Sequence, residues 1–384
     1  MRQNPSNSWI SAVVAVDLIS AVRKINLSGD LLMKKHLIAA AVAAAVAGPV
    51  MAQNVTIYGA IDASIRSHNT GAGVSETSLT GGSMRTNRIG FRGTEDLGGG
   101  LKAEFQLQGQ FDPAARTVGS QATTGGTTTT NTTGNSLNFG EELWVGLSGG
   151  FGHIRAGRTD VSGLQALDST TAGGVSFFDY TSSVGFEIGN NQSQVLRYIS
   201  PNVNGFTVDA AIQLGAEKSA TTANSADKTT SFLVSYVSGP LSLYGGQAST
   251  SAATGGDLAD KDYQAIAARY DFGVVNVGIQ YSRADISATT NSRDEKTTMV
   301  TVAAPLGNGV TLRGAYLQAE NLSTDKSDGF SLVLQKDLSK RTTLYAQYTR
   351  MENETTGNRE WAGTVKGGAD KDPSAFLFGV SHAF

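Results

Sequence analysis

The chain has 384 residues, a formal net charge of −3 and no cysteine. These values exclude a disulfide scaffold and a thiolate metal site, and they give none of the basic footprint of a nucleic-acid-binding protein. Beyond residue 52 no apolar run approaches the length of a membrane helix, which leaves a soluble secreted β-protein or a membrane β-barrel.

The first 52 residues are typical of segments that are removed from the working protein. Residues 33–52 begin with the basic run Met33-Lys34-Lys35-His36, continue with an Ala/Val-rich apolar segment and end in Ala52, the small residue that a signal peptidase requires. We therefore predict a signal peptide at 33–52, with export through the periplasm, and a mature domain at 53–384. Residues 1–32 lie upstream of this complete signal. We interpret them as an extension from a start codon assigned too early, the alternative being an extended n-region.

The segment from Arg88 to Asp112 shows the pattern that organises the mature chain. Two alternating runs are joined by residues 96–100, a turn cluster rich in glycine that can adopt positive φ. In the second run the apolar side chains fall on one face and the charged and amide side chains fall on the other. A period of two predicts a β-hairpin.

The same alternation recurs to the end of the chain and predicts sixteen strands. The strands are 55–66, 88–95, 101–112, 142–147, 153–159, 194–200, 206–214, 230–238, 241–248, 263–272, 274–284, 296–305, 310–320, 330–338, 342–351 and 374–384. Most are near the ~9–11 residues that cross a bilayer at a tilt. The connection before the second strand is predicted to be a polar segment through Arg85.

Short turns and long polar connections alternate between these strands. This predicts an all-β, 16-stranded antiparallel transmembrane β-barrel with short periplasmic turns and long external loops. A soluble sandwich has no reason to keep its long loops at one end, and closure leaves no strand edge exposed to lipid. Several aromatic residues near strand ends fit a membrane girdle, the alternative being packing in a core: Tyr198, Phe206, Tyr236, Phe272 and Phe384.

Several segments resemble the Gram-negative general porins, in particular the beta-proteobacterial type. The matching segments are 55–59 (VTIYG), 93–98 (GTEDLG), 145–152 (VGLSGGFG), 156–158 (AGR), 197–201 (RYISP) with Gly205-Phe206, and 382–384 (HAF). The resemblance spans the mature chain and implies a homotrimeric outer-membrane barrel whose third external loop folds into the lumen. It implies passive diffusion of small hydrophilic solutes and ions without a cofactor. It also implies contact with outer-membrane lipid and lipopolysaccharide, and insertion by the barrel assembly machinery with Phe384 as the assembly signal.

The candidate constriction consists of an acidic loop facing wall arginines. Residues 160–190 form a long connection without strand character, which suggests a functional loop, and by position it is the third long loop. It contains no Lys or Arg, and its acidic residues are Asp160, Asp168, Asp179 and Glu187. Strand parity predicts that Arg88 and Arg92 point inward, while Arg158 ends the fifth predicted strand and Arg197 lies in the sixth. For each arginine the alternative is a wall residue paired to a carboxylate away from the constriction.

Two departures from the family pattern affect the charge of this constriction. Where the family usually carries an arginine before the 145–152 segment, this chain has Glu141-Glu142, and before the 197–201 segment it has Asn190-Asn191. The parity of the fourth predicted strand is ambiguous, and either choice sends one of the two glutamates into the lumen. The sign of ion selectivity therefore stays open.

Other chemistry finds little support in the sequence. The mature histidines, His68, His153 and His382, have no metal-ligand spacing, and no nucleophile–base motif stands out, so we expect neither a metal nor an enzyme. Two alternative functions remain. One is a solute-specific channel, and the other is a non-conducting structural or adhesive barrel.

Overall fold

The computed structural model describes residues 55–114, 139–161, 191–214, 228–251, 260–287, 292–321, 325–354 and 356–384. The predicted signal peptide and the upstream extension lie outside these ranges, as do Asp168, Asp179 and Glu187. The described strands are β1 (Thr56–Asn69), β2 (Ser75–Gly81), β3 (Arg88–Gly98), β4 (Leu101–Gln110), β5 (Glu142–Gly149), β6 (Gly152–Asp160), β7 (Asn191–Ile199), β8 (Phe206–Gln213), β9 (Lys228–Ser238), β10 (Leu241–Ser251), β11 (Asp260–Asp271), β12 (Asn276–Ser287), β13 (Arg293–Gly307), β14 (Val310–Asn321), β15 (Asp325–Asp337), β16 (Thr342–Asn353) and β17 (Ser374–Ala383). In the described ranges no helix is long and apolar enough to span a membrane.

These strands form one closed antiparallel barrel. Each strand from β3 to β17 pairs with the next along the chain, and β17 pairs with β1 to close the sheet. The first part of β1 pairs with β3 and the rest pairs with β2, so β2 and β3 share one position. Seventeen strands therefore fill sixteen positions, and the predicted 16-stranded barrel is confirmed.

One local prediction is wrong. The polar segment expected before the second predicted strand contains β2, which pairs with β1 from Ala63 to Asn69. Six of the seven residues of β2 are polar or glycine, so the segment gives no apolar alternation from which a strand could be predicted. The strand forms because its backbone pairs with β1, and the residues of β2 alone do not reveal this pairing.

The two faces of the barrel differ as the alternation predicts. On β1 the apolar side chains of Ile57, Ile61 and Ile65 are exposed on the outer face, while Asp62 and Ser64 are buried on the inner face. The same outer apolar surface continues on other strands, for example Leu143, Val145 and Leu147 on β5 and Phe376, Phe378 and Val380 on β17. An apolar exterior around a polar interior is the arrangement that lipid requires of a barrel.

The short turns lie together at one end of the barrel. Gly98, Gly99 and Gly100 between β3 and β4 all have positive φ, as the turn prediction required. Aromatic side chains cluster at this end, where the ring centroids of Phe206 and Tyr236 are 4.6 Å apart.

The last residue of the chain completes the barrel at the same end. The amide of Phe384 donates to the carbonyl of Gly59 at 3.0 Å, and the amide of Gly59 donates back to Phe384 at 3.1 Å. A Cβ at position 59 would lie 2.5 Å from the Phe384 ring, so glycine is required there for the ring to pack against β1. The role of Phe384 as an assembly signal stays a prediction.

Candidate functional site

The register of β1 and β3 fixes the faces of the first two candidate arginines. Arg88 pairs with Ala60 and Arg92 pairs with Thr56, while Phe91 between them pairs with Ile57 on the outer face. Because side chains alternate along a strand, both arginines point into the lumen. The Arg92 guanidinium lies over the Tyr58 ring, with Cζ 5.1 Å from the ring centroid.

The start of β5 brings two carboxylates to the same region. Leu143 and Val145 are exposed on the outer face, by 47% and 63%, so Glu142 and Trp144 point inward and the ambiguity of this strand is resolved. Glu141, immediately before the strand, also reaches the lumen, where its Oε1 lies 3.9 Å from Nη1 of Arg88.

Glu142 is nearly buried and is held by neutral donors. Its Oε1 accepts hydrogen bonds from Nδ2 of Asn191 at 3.0 Å and from the amide of Asp160 at 3.4 Å. The acid therefore connects three strand ends at the entrance to the third long connection.

Arg197 also lies on the inner face, but it is bound to a carboxylate. Its Nε and Nη2 bind the two oxygens of Asp209 at 2.8 and 2.5 Å, and Nη1 donates to the carbonyl of Asp160 at 3.2 Å. The side chain is 9% exposed. Arg197 thus fixes the end of β6 to β8 and presents little free charge to a solute.

The chain turns into the barrel directly after β6. Val161 is fully buried, and its carbonyl accepts a hydrogen bond from Ser231 on β9. The side chain belongs to an apolar cluster formed with inner-face residues of β7 to β12: Val195, Ala211, Leu233, Ala248, Tyr263, Ala265, Ala267 and Ala284. The described start of the third long connection therefore lies inside the lumen, as expected of an inward-folded loop. Residues 162–190, with three of the four predicted loop acids, lie outside the described residues.

Arg158 does not join the other arginines. It pairs with the outward-facing Leu143, next to a register shift between Gly157 and Thr159. Its Nε donates to the carbonyl of Gly140, and Nη1 donates to Oγ of Ser193 at 3.1 Å. The structure therefore places Arg158 on the outer face, and we leave it out of the proposed wall.

Arg155 takes the inner position on β6 that the sequence analysis missed. It pairs with Gly146 on β5 and with Arg197 on β7, both on the inner face. Its Cζ lies 5.0 Å from the ring centroid of Trp144. The alternation of His153 and Arg155 with Ile154 and Ala156 contained this signal.

A second connection enters the lumen on the far side. Residues 356–373 link β16 to β17, and their Trp361 is 1% exposed in an apolar cluster with inner-face residues of β13 to β16. That cluster comprises Met84, Met299, Ala315, Leu317, Ala319, Val333, Tyr345 and Met351. We call residues 356–373 the last connection.

Arg359 binds the last connection to the wall. Its Nη2 lies 3.1 Å from Oε1 of Glu295 on β13, and its Nη1 lies 2.6 Å from Oδ1 of Asp325 on β15. Asn353 on β16 adds two hydrogen bonds to the backbone of Arg359, at 2.9 and 3.1 Å. Since Arg359 and Glu295 are 5% and 4% exposed, this ion pair is formed inside the barrel.

The segment between β2 and β3 is held inside the lumen by Asp62. Oδ1 of Asp62 accepts hydrogen bonds from the amide of Ser83 at 2.9 Å and from the hydroxyl of Tyr345 at 2.8 Å, and its own amide donates to Asn87 at 2.5 Å. Asn87 immediately precedes Arg88, so this network also fixes the backbone position of Arg88.

The interior is therefore filled from two sides, around Val161 and around Trp361. Arg88, Arg92 and Arg155 lie on the inner wall formed by β3 to β6, and the guanidinium groups of Arg92 and Arg155 lie on aromatic rings. In the part of the chain that the structure describes, no group of three or more His, Asp or Glu side chains could hold a metal ion. The arrangement can bind and orient charged solutes through fixed cations.

Comparisons with protein families, with protein sequences and with solved structures agree with one another. Residues 39–356 match the family described as Gram-negative porin. The chain is 32% identical over 369 residues to outer membrane porin protein 32 of Delftia acidovorans, covering 92% of this chain and all of that protein. It is 28% identical over 378 residues to major outer membrane protein P.IB of Neisseria lactamica, covering 92% and 100%. The solved structure of an anion-selective porin from Comamonas acidovorans aligns with a TM-score of 0.73 at 27% identity, covering 86% of this chain and 100% of that one.

Proposed function

Since the chain belongs to the Gram-negative porin family and is an integral outer-membrane porin, we propose that its channel prefers anions and that Arg88, Arg92 and Arg155 set this preference. Small hydrophilic solutes cross such a channel by passive diffusion. Fixed arginines keep their charge at every relevant pH, so they attract anions into the narrow part of the pore and repel cations.

The observation that carries this proposal is the difference between the paired and the stacked arginines. Arg197 is neutralised by Asp209, whereas Arg92 and Arg155 lie on aromatic rings and make no ion pair with a carboxylate of the described residues. Arg88 makes one long ion pair at 3.9 Å, and its side chain is 35% exposed. The wall of β3 to β6 thus presents two arginines, Arg92 and Arg155, whose charge no carboxylate of the described residues pairs with. The similar Comamonas protein, which is described as anion-selective, supports the same sign.

Asp160 is the last residue of β6 and so belongs to the wall, whereas Asp168, Asp179 and Glu187 remain the proposed opposite side of the constriction. A field between wall cations and loop carboxylates orders water and favours polar solutes over apolar ones. We also propose that the porin is a homotrimer in contact with lipopolysaccharide and that it is inserted by the barrel assembly machinery.

The test is planar-bilayer recording of the refolded mature protein under a KCl gradient. The expected result is conductance that arrives in threefold steps, with a reversal potential of anion sign. Arg88→Ala should lower the anion preference, while the matched control Arg283→Ala, on the outer face of β12, should leave it unchanged. A cation-signed potential in the wild type would refute the proposed role of the arginines. Saturation by one solute would favour the solute-specific channel, and insertion without conductance would favour the structural barrel.

A further inference from the structure

Tyr58 lies flat against the inner wall beneath the guanidinium of Arg92. It projects from β1 opposite Gly90 on β3, and a Cβ at position 90 would come within 2.5 Å of the phenol ring. Glycine therefore leaves the space in which the ring crosses β3. The hydroxyl then donates to Oε1 of Gln108 on β4 at 2.8 Å, which fixes the orientation of the ring.

Trp144 makes the corresponding contact with Arg155. It projects from β5 opposite Gly157 on β6, where a Cβ would lie 2.8 Å from the Trp144 Cα and 3.1 Å from its Cβ. The imidazole of His153 packs against the indole edge-on, with ring centroids 5.4 Å apart. The indole is thus held from the side while the Arg155 guanidinium lies over it.

The two stacked pairs are neighbours on one stretch of wall. Gln106 on β4 is the direct cross-strand partner of Arg92 on one side and of Trp144 on the other. Arg92, Gln106 and Trp144 also line a common pocket on the inner wall. This row of cross-strand partners reaches β6 at Gly157, two residues from Arg155, so the two arginines lie close together on the wall, each with an aromatic partner from the adjacent strand.

An aromatic partner has a different effect from a carboxylate. A long arginine side chain must be ordered to act at a fixed position, and either partner can order it. A carboxylate cancels the charge, as Asp209 does for Arg197, whereas an aromatic face attracts the cation and leaves its net charge unchanged. Stacking therefore fixes a cation in a pore without losing its field.

We propose that Tyr58 and Trp144 are positioning residues of the anion filter, which hold Arg92 and Arg155 against the wall with their charges directed into the lumen. The inference rests on the proposed anion preference of Arg88, Arg92 and Arg155. Two neutral aromatic side chains would then control the ion preference of the channel without pairing with the ions themselves.

A double-mutant cycle measured as the chloride-to-potassium permeability ratio tests the proposal. Tyr58→Leu should lower the ratio roughly twofold or more, because it removes the aromatic face that attracts the cation. Tyr58→Phe keeps that face and loses only the hydrogen bond to Gln108, so it should stay near the wild-type ratio. In the Arg92→Gln background, Tyr58→Leu should have no further effect. The same cycle is run with Trp144→Leu, Trp144→Phe and Arg155→Gln, so that one variant that fails to fold does not end the test.

The outcomes separate this inference from the proposed function. If Arg92→Gln and Arg155→Gln lower the ratio but neither leucine variant does, the positioning role is refuted and the anion filter stands. If the leucine variants act equally in the presence and absence of the arginines, the rings act by another route and the inference is also refuted. If the arginine variants leave the ratio unchanged, the proposed function itself fails.

Discussion

Removing the side chain of Arg359 should widen the channel. The Arg359→Ala variant loses the ion pairs to Glu295 and Asp325 that hold the last connection inside the barrel, and it leaves Glu295, 4% exposed, without this cation. Breaking a buried ion pair by removing one partner costs about 3–5 kcal/mol. Each 1.4 kcal/mol is a factor of ten, so the population with the last connection displaced should rise roughly a hundred- to several-thousand-fold. The sixteen paired strand positions do not depend on Arg359, so the barrel should still form.

Single-channel recording measures this displacement directly. The expected result is a higher mean conductance, or frequent transitions to a larger open level, in Arg359→Ala. Arg283→Ala is the matched control, because Arg283 also binds one aspartate through two hydrogen bonds, at 2.8 and 3.0 Å, but does so on the outer face. If Arg359→Ala inserts normally and its conductance and open-channel noise equal those of the wild type, the last connection does not narrow the pore.

Two further substitutions test the wall charge and the packing of the last connection. Glu141→Gln should raise the anion preference in reversal-potential measurements, since Arg88 loses its opposing charge, and thermal stability should change little because such an ion pair contributes about 0–1 kcal/mol. A lower anion preference would mean that Glu141 positions Arg88 rather than opposing it. Gly329→Val would place a Cβ 2.8 Å from both Met351 and Trp361, so it should displace Trp361 at a cost of roughly 1–3 kcal/mol and increase conductance. Gly245→Val is its control, because the nearest atom to a Cβ there is 3.7 Å away.

The barrel itself could be predicted from the sequence because its requirements are local. A strand that faces lipid must alternate apolar and polar residues, and a tight turn such as 96–100 needs glycines that adopt positive φ. Both features are visible in a few consecutive residues. Strand β2 was not predicted because its seven residues contain no alternating apolar pattern. Its formation depends on pairing with β1, which those residues alone do not show.

The candidate site was only partly predicted. The outward position of Arg158 follows from simple alternation, because Arg158 lies on the same face of β6 as Ile154 and Ala156 and pairs with Leu143. Applied to residues 153–159, the same alternation places Arg155 on the inner face. The burial of Trp361 depends on contacts with β13 to β16, most of which are distant in sequence, so the residues around it in the chain do not reveal it.

Counting charges in the sequence cannot give the sign of selectivity, because the partner of each charge decides its effect. A buried guanidinium needs a carboxylate to offset its desolvation, and Arg197 and Arg359 have such partners. Their charges stabilise the entry of two connections into the barrel and contribute little net field. Arg92 and Arg155 are more accessible to the lumen and lie on aromatic rings, so their field remains available to a solute. The sign of the pore therefore follows from which arginines fold the chain and which remain unneutralised on its inner wall.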